Sequence, residues 1–485
     1  MNFKLKPLFL SLLLTVCSSC ISWKEPAAMS DEEPELFPDY SGVTVPANIA
    51  PMNFMVEGAA GIQAAFCVGG TEVARVRGRE GVVAIPQKKW KEILSSASGA
   101  SVSVEVSVWS TGYPDGLRYK PFEINIAHEE TDPWIAYRLI EPGYVGWRQL
   151  GIYQREISSF EEFAVVTNRE SNTTCLNCHN FPSFSSESIL FQARGANGGT
   201  IIYHGGKLDK IDFKNIGPKK NTTYPAWHPD GRFIAFSSNT THQLFFAEGR
   251  QPIEVFDSAS DLVFYDIQTG EVLTDPRFLT KEALESFPAW SPDGNYLYFV
   301  SAEDVGLDVK FTPTARYHLL RVPFDTHSRT FGDKIDTLYN AYTRGGSVSY
   351  PRISPDGRYL LYTLSDYGTF PIWHDEADLK MMDLRTMEDV DISIWNADES
   401  ADSYHSWSSN GRWVMYGTRR LDGRYTRVHM AYLSEDGIPG KPFLLPQEDP
   451  RHNVWRLKSY NVPEFIDGEV ALPEEAAELF YSAVK

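Results

Sequence analysis

The feature that most constrains this chain is a short pattern that keeps returning through its second half. Tyr224-Pro225-Ala226-Trp227-His228-Pro229-Asp230-Gly231 is followed by Phe287-Pro288-Ala289-Trp290-Ser291-Pro292-Asp293-Gly294. Next come Tyr350-Pro351-Arg352-Ile353-Ser354-Pro355-Asp356-Gly357 and the weaker Tyr404-His405-Ser406-Trp407-Ser408-Ser409-Asn410-Gly411. Trp227, Trp290, Ile353 and Trp407 thereby recur at intervals of 63, 63 and 54 residues, and a degenerate fifth copy reads from Phe181-Pro182-Ser183-Phe184. Each full copy runs into an alternating apolar segment, at 233–236, 296–299, 359–362 and 413–416. Pro-Asp-Gly closes a hairpin, because Pro presets φ, Asp bonds its own backbone and Gly takes the positive φ that completes the bend. One such unit has no means of burying both faces of its sheet, whereas several set radially do. The repeat therefore predicts a ring of small antiparallel sheets, with the aromatic before each turn packed between neighbours. The same turn accounts for Asp230, Asp293 and Asp356, which would otherwise suggest a carboxylate metal site.

These copies, with Trp290-Ser291-Pro292-Asp293-Gly294 as the best example, resemble the repeats of TolB-type, WD40-like β-propellers over residues 160–460. The resemblance implies an all-β chain with a six-bladed propeller. The sixth blade is expected to combine residues 441–445, or the Tyr460 region, with a strand near 163–167. Ahead of the repeats, Val102, Val104, Val106 and Val108 alternate with mostly polar residues, the period of a half-buried strand. Turn signals at 58–61, 69–70 and 114–116 then suggest a small immunoglobulin-like β-sandwich over 44–128, with a short helix at 87–96. The division read from sequence is a leader at 1–20, an acidic tether at 21–43, the sandwich, a connector at 129–167, the propeller at 168–465 and a tail at 466–485.

Cys175-Leu176-Asn177-Cys178-His179 stands at the start of the repeats. The C-x-x-C-H spacing lets two thiols take thioether bonds to the vinyl groups of haem c while the adjacent imidazole reaches the iron. A local disulfide or redox pair, or half of a metal site, are the other readings of the same spacing. A zinc site lacks a second C-x-x-C or an H-x3-5-H, and a thioredoxin-like site lacks its βαβ surroundings. For a second axial ligand the candidates are His228, in place of the repeat's Ser, and His405, in place of its Pro, with His374 and His204 behind them. Arg419, Arg420 and Arg424 read as propionate partners or as surface cations.

Lys4 and Lys6 followed by an apolar run at 8–16, too short to span a bilayer, form a secretory leader. Cys17-Ser18-Ser19-Cys20 resembles a bacterial lipoprotein signal with Cys20 as the acylated residue, although Cys17 stands where an aliphatic residue is usual. A lipid on Cys20 would be the sole membrane attachment, and Cys67 is left as a small core residue. The arrangement of leader, β domain, Cys-x-x-Cys-His and repeats resembles a group of TolB-like bacterial lipoproteins of the outer membrane or cell surface, on its periplasmic side or outside. With 45 Lys and Arg against 64 Asp and Glu, the net charge of −19 excludes nucleic acid as a partner. No G-x-S-x-G occurs and too little chain follows the repeats for a hydrolase domain, so a peptidase is not expected. Two functions are expected: a haem c protein that serves electron transfer or redox sensing with a redox partner, or a haem-free scaffold that recruits an envelope protein or glycan.

Overall fold

The computed structural model describes residues 23–141, 149–169, 175–194, 198–216, 219, 222–247, 251–304, 315–476 and 479. The leader and Cys20 lie outside the described residues. No helix among the described residues is long and apolar enough to cross a membrane.

Six antiparallel sheets form the propeller. Five follow the chain, and their innermost strands are Cys175–Asn180, Thr223–Trp227, Ala283–Trp290, Ser347–Ile353 and Asp402–Trp407. The sixth sheet closes the ring with both ends of the domain: Trp134–Ile140, Gly151–Glu156 and Phe163–Thr167 take Ser459–Ile466 as their inner strand. Trp134–Ile140, Gly151–Glu156 and Phe163–Thr167 are therefore most of a blade rather than part of a connector, and the propeller begins near Trp134. They carry no Pro-Asp-Gly, which is why the repeat did not reveal them. The Tyr460 region and 163–167 share one sheet as expected, at its opposite edges, whereas Phe443–Leu444 is the outer strand of the preceding blade.

The turns behave as the repeat predicts. Gly231, Gly294, Gly357 and Gly411 have φ between 67° and 75°, and Asp293 Oδ1 accepts from the Asn295 amide at 3.0 Å. Indoles bridge the blades: Trp290 Nε1 donates to the Ala226 carbonyl at 3.1 Å and Trp407 Nε1 to that of Arg352 at 3.2 Å.

The N-terminal unit departs from two comparable facing sheets. Its strands form one seven-stranded sheet centred on Ser101–Trp109, which pairs Gly61–Val68 along one edge. The other edge is shared by Leu117–Arg118 and Phe122–Ile126. The valine face is covered by the helix Gln87–Ser96, through Trp90, Ile93 and Leu94, and by a two-stranded ribbon, Phe54–Met55 with Val82–Val83. Residues 23–43 are not a free tether: Ala28–Met29 pairs Leu117–Arg118, and Tyr40 and Val43 are fully buried. Their apolar side chains outweigh the acidic ones, and this core continues into Trp413, Met415 and Met430 of the last blade. Cys67 is half-buried on this sheet, not in the core.

Candidate functional site

The innermost strands share a local break. Asn177 pairs Gln192 and Asn180 pairs Leu190, so one extra residue is inserted between them, and Cys178 takes a φ of 50°. Tyr224, Phe287, Tyr350, Tyr404 and Val462 have φ between 44° and 53° at the equivalent place in the other five blades. Such a bulge re-aims side chains at the cost of holding a non-glycine residue in left-handed backbone. It also fixes the register of the fifth copy: Cys178-His179-Asn180-Phe181 corresponds to Tyr224-Pro225-Ala226-Trp227. The copy thus begins inside the Cys-x-x-Cys-His motif, three residues before Phe181, where sequence alone placed it.

In an uninterrupted strand Cys175 and Cys178, three residues apart, would face opposite sides. The bulge changes that, and both thiols are free and line one cavity of about 250 Å3 together with Asn177 and His179. Its floor is an aromatic plug made by the bulge residues. Ring centroids of Tyr224 and Phe287 are 4.1 Å apart, those of Phe287 and Tyr350 4.1 Å, and those of Tyr350 and Tyr404 5.2 Å. Arg138, Arg194, Arg352 and Arg419 also line the cavity. Arg419, expected as a propionate partner or surface cation, is buried with its guanidinium 3.1 Å from the Trp373 ring centre. Arg420 instead pairs with buried Asp402 at 3.0 Å, and Arg424 is exposed.

His179 is buried, and its ring is oriented by a hydrogen bond to the Val462 backbone. Burial, followed by the charge of Arg138, lowers its pKa to about 3, so the imidazole is neutral. Nε2 has no hydrogen-bond partner but lies 3.5 Å from Oε2 of Glu464. Burial raises that carboxyl to about 7 against the pull of Arg352 and of Asn180, whose amide donates to Oε1 at 3.1 Å. The contact is accordingly one between neutral groups, or nearly so, rather than an ion pair.

The proposed distal histidines do not reach this cavity. His228 Nδ1 contacts Asp230 at 2.7 Å, just as the Ser291 hydroxyl reaches Asp293 at 2.5 Å, and Nε2 bonds the Gly294 carbonyl at 3.0 Å. It does the serine's work in the turn and ties two blades. His405 is buried with Nε2 3.2 Å from the Leu361 carbonyl, and burial lowers its pKa to about 3. His204 bonds Ser188 at 2.9 Å, away from the motif. Among the described residues no group of three His, Cys, Asp or Glu side chains is placed to hold a metal ion.

Two features of the site were missed in the sequence. Glu464 and Arg352 stand at the position that Ala226, Ala289 and Ser406 fill with small side chains, a substitution visible once the register is right. The other is a long hairpin, Phe233–Phe245 with Ile253–Asp266, whose outer half places Thr241, Gln243, Ile253 and Val255 on the cavity wall. Its end is held to another blade by His374, whose Nε2 lies 3.3 Å from Glu254 and Nδ1 3.2 Å from Glu376. Burial opposes the charged ring, yet the bonds to Glu254 and then Glu376 carry its pKa up to about 9. A raised folded pKa stabilises fully below the unfolded value of about 6.5 and is lost as pH rises through about 9. His374→Gln should therefore lower stability by about 1.5–3 kcal/mol at pH 6. The gap in urea midpoints from the parent should narrow towards pH 10, and a gap independent of pH would refute the tie.

No known protein family and no curated protein matches the chain. Solved structures with a similar course of chain include a puromycin hydrolase, at 12% identity and a TM-score of 0.36 over 64% of this chain and 45% of that one. A puromycin-hydrolyzing peptidase of Mycobacterium tuberculosis gives 12%, 0.36, 72% and 52%. Regucalcin from Agrobacterium tumefaciens, a calcium-binding protein, gives 12%, 0.31, 64% and 92%. The chain spans about half the length of the two hydrolases. Likenesses at this level transfer no chemistry, and the six-bladed architecture stands on the strand pairing above.

Proposed function

We propose that this protein is an exported, TolB-like propeller lipoprotein, anchored through Cys20, that carries haem c on Cys175 and Cys178 with His179 as an axial ligand. The observation that carries the reading is the bulge at Cys178, which brings both thiols of the motif to the wall of one cavity. The donor set fits the group. The thiols are free, and His179 is neutral with its ring oriented by the backbone and Nε2 without a hydrogen bond, as a ligand imidazole is held. Arginines stand in the same cavity for the propionates. Bound haem would supply a one-electron redox centre there. This chain's part is to exclude water with the aromatic plug, to orient His179 through Val462, and to withdraw the Glu464 carboxyl from Nε2. Electron transfer or redox sensing is the role such a site would serve.

The test is the full chain exported from cells with and without haem-attachment machinery. A haem stain that survives denaturation, with the mass of one covalent haem, is expected with the machinery and is absent from Cys175→Ala. Apo protein under both conditions overturns the reading. The contact of Glu464 with His179 favours a second reading, a haem-free binding propeller in which that pair is purely structural. Stability unchanged by haem supply and lowered by His179→Ala would select it.

A further inference from the structure

The cavity above the plug holds a charge arrangement at odds with the rest of the molecule. The chain carries a net charge of −19, yet Arg138, Arg194, Arg352 and Arg419 converge on one space of about 250 Å3 in which Glu141 is the carboxylate among the described lining residues. Arg194 has no carboxylate within ion-pair distance among the described residues. Arg352, which also lines the space beyond the plug beside Glu464, acts on that carboxyl from beyond ion-pair distance, and burial raises the pKa of Glu464 to about 7. Arg138 donates Nη1 to the Leu176 carbonyl at 3.4 Å and Nη2 to the Asn461 side-chain oxygen at 2.7 Å, which leaves three of its five N–H groups. Asp257 lies behind the wall, engaged by Asn239 and Thr241 at 2.6 Å each, and Glu141 accepts from the Gln149 amide at 3.3 Å. Like charges crowded into a partly dry space repel one another, and a bound anion relieves that repulsion. Guanidinium forks match the paired oxygens of a carboxylate or phosphate, while Phe370, Ile372 and the edges of the plug rings offer apolar surface beside them.

We propose that this cavity binds a small organic anion, a carboxylate or phosphate ester with a flat apolar body, held by Arg138, Arg194 and Arg352 over the aromatic floor. The site goes beyond haem attachment and needs neither thiol. The acidic exterior repels anions in general, so entry is confined to ligands that reach the positive pocket itself.

The experiment uses the full-length Cys175→Ala, Cys178→Ala protein, which has no point of thioether attachment, titrated calorimetrically with phenyl phosphate, benzoate and uncharged benzyl alcohol. Both anions should bind, benzyl alcohol should not, and the tighter of the two anions names the class. Arg352→Gln and Arg138→Gln should each weaken binding about 10-fold or more. Arg194→Gln, at an exposed position where folding is not at risk, should weaken it severalfold. Benzyl alcohol binding as tightly as the anions, no heat from either anion, or unchanged binding in Arg194→Gln together with whichever of the other two variants keeps the parent's unfolding transition would overturn the proposal. A protein that takes no haem but binds these anions loses the function proposed above and retains this site; the converse result separates them equally well.

Discussion

A chain shortened to end at Lys458 should lose the closed ring and, with it, a single cooperative unfolding transition. The missing strand, Ser459–Ile466, pairs along the whole of Trp134–Ile140. It also reaches the blades on either side, where Ser406 Oγ donates to the Pro463 carbonyl at 2.6 Å and Asn180 to Glu464 at 3.1 Å. It buries Tyr460 and Phe465 in the core shared with the N-terminal unit, and Ile466 in the core around Ile152, Leu176 and Phe191. At roughly 1.5–3 kcal/mol for each large apolar side chain, these three alone supply a loss comparable to the whole stability of many domains. The exposed edge of Trp134–Ile140 would in addition invite aggregation. Urea unfolding followed by tryptophan fluorescence and by circular dichroism is the measurement. Coincident transitions at the parent's midpoint would show that the strand is dispensable.

Phe287→Ala is expected to cost about 3–5 kcal/mol, the range for emptying a buried aromatic site. Phe287 is 3% exposed and stacks between Tyr224 and Tyr350. Its φ of 49° is set by the bulge, so alanine there gains no relief from the backbone. The hole would also open the upper cavity towards a second space of about 290 Å3 lined by Trp227, Trp290 and Trp407 on the other side of the plug. Tyr342→Ala, at a ring that is 56% exposed, is the control and should change stability by no more than about 0.5 kcal/mol. Equal urea midpoints for the two variants would remove the plug from the account of what holds the blades together.

The blades were legible wherever a turn had to be made in a fixed chemistry. Pro-Asp-Gly announces a hairpin because few residues satisfy its dihedrals; three blades followed from it directly and a fourth from its variant Ser409-Asn410-Gly411. The closing blade was legible only at its two edges, the Tyr460 region and 163–167; its middle strands escaped because the blade joins chain segments some three hundred residues apart by pairing, which leaves no local mark. The register of the Cys175–Asn180 blade was shifted for a related reason. Cys178-His179 occupies the place of Tyr224-Pro225, and no propensity shows that a cysteine is standing in left-handed backbone where an aromatic stands elsewhere. Spacing sets Cys175, Cys178 and His179 side by side, but it carries no sign that His204, His228 and His405 lie away from their cavity. His228 looked like a misplaced ligand because it interrupts a serine position, whereas its ring is used within the turn, Nδ1 accepting from the Asp230 backbone N–H and Nε2 facing the Gly294 carbonyl. Residues 23–43 show the limit of composition: their charges suggest a solvated tether, but Tyr40 and Val43 decide where the segment lies.

The closing strand also sets a timetable. Because a chain is made from its N-terminus, Cys175 and Cys178 are complete nearly three hundred residues before Asn461 and Val462, which form the adjoining wall of their cavity. Until those last residues arrive, the neighbour of the motif strand is missing and its thiols face an open side. The cavity wall beside the motif is therefore the last part of the ring to be completed.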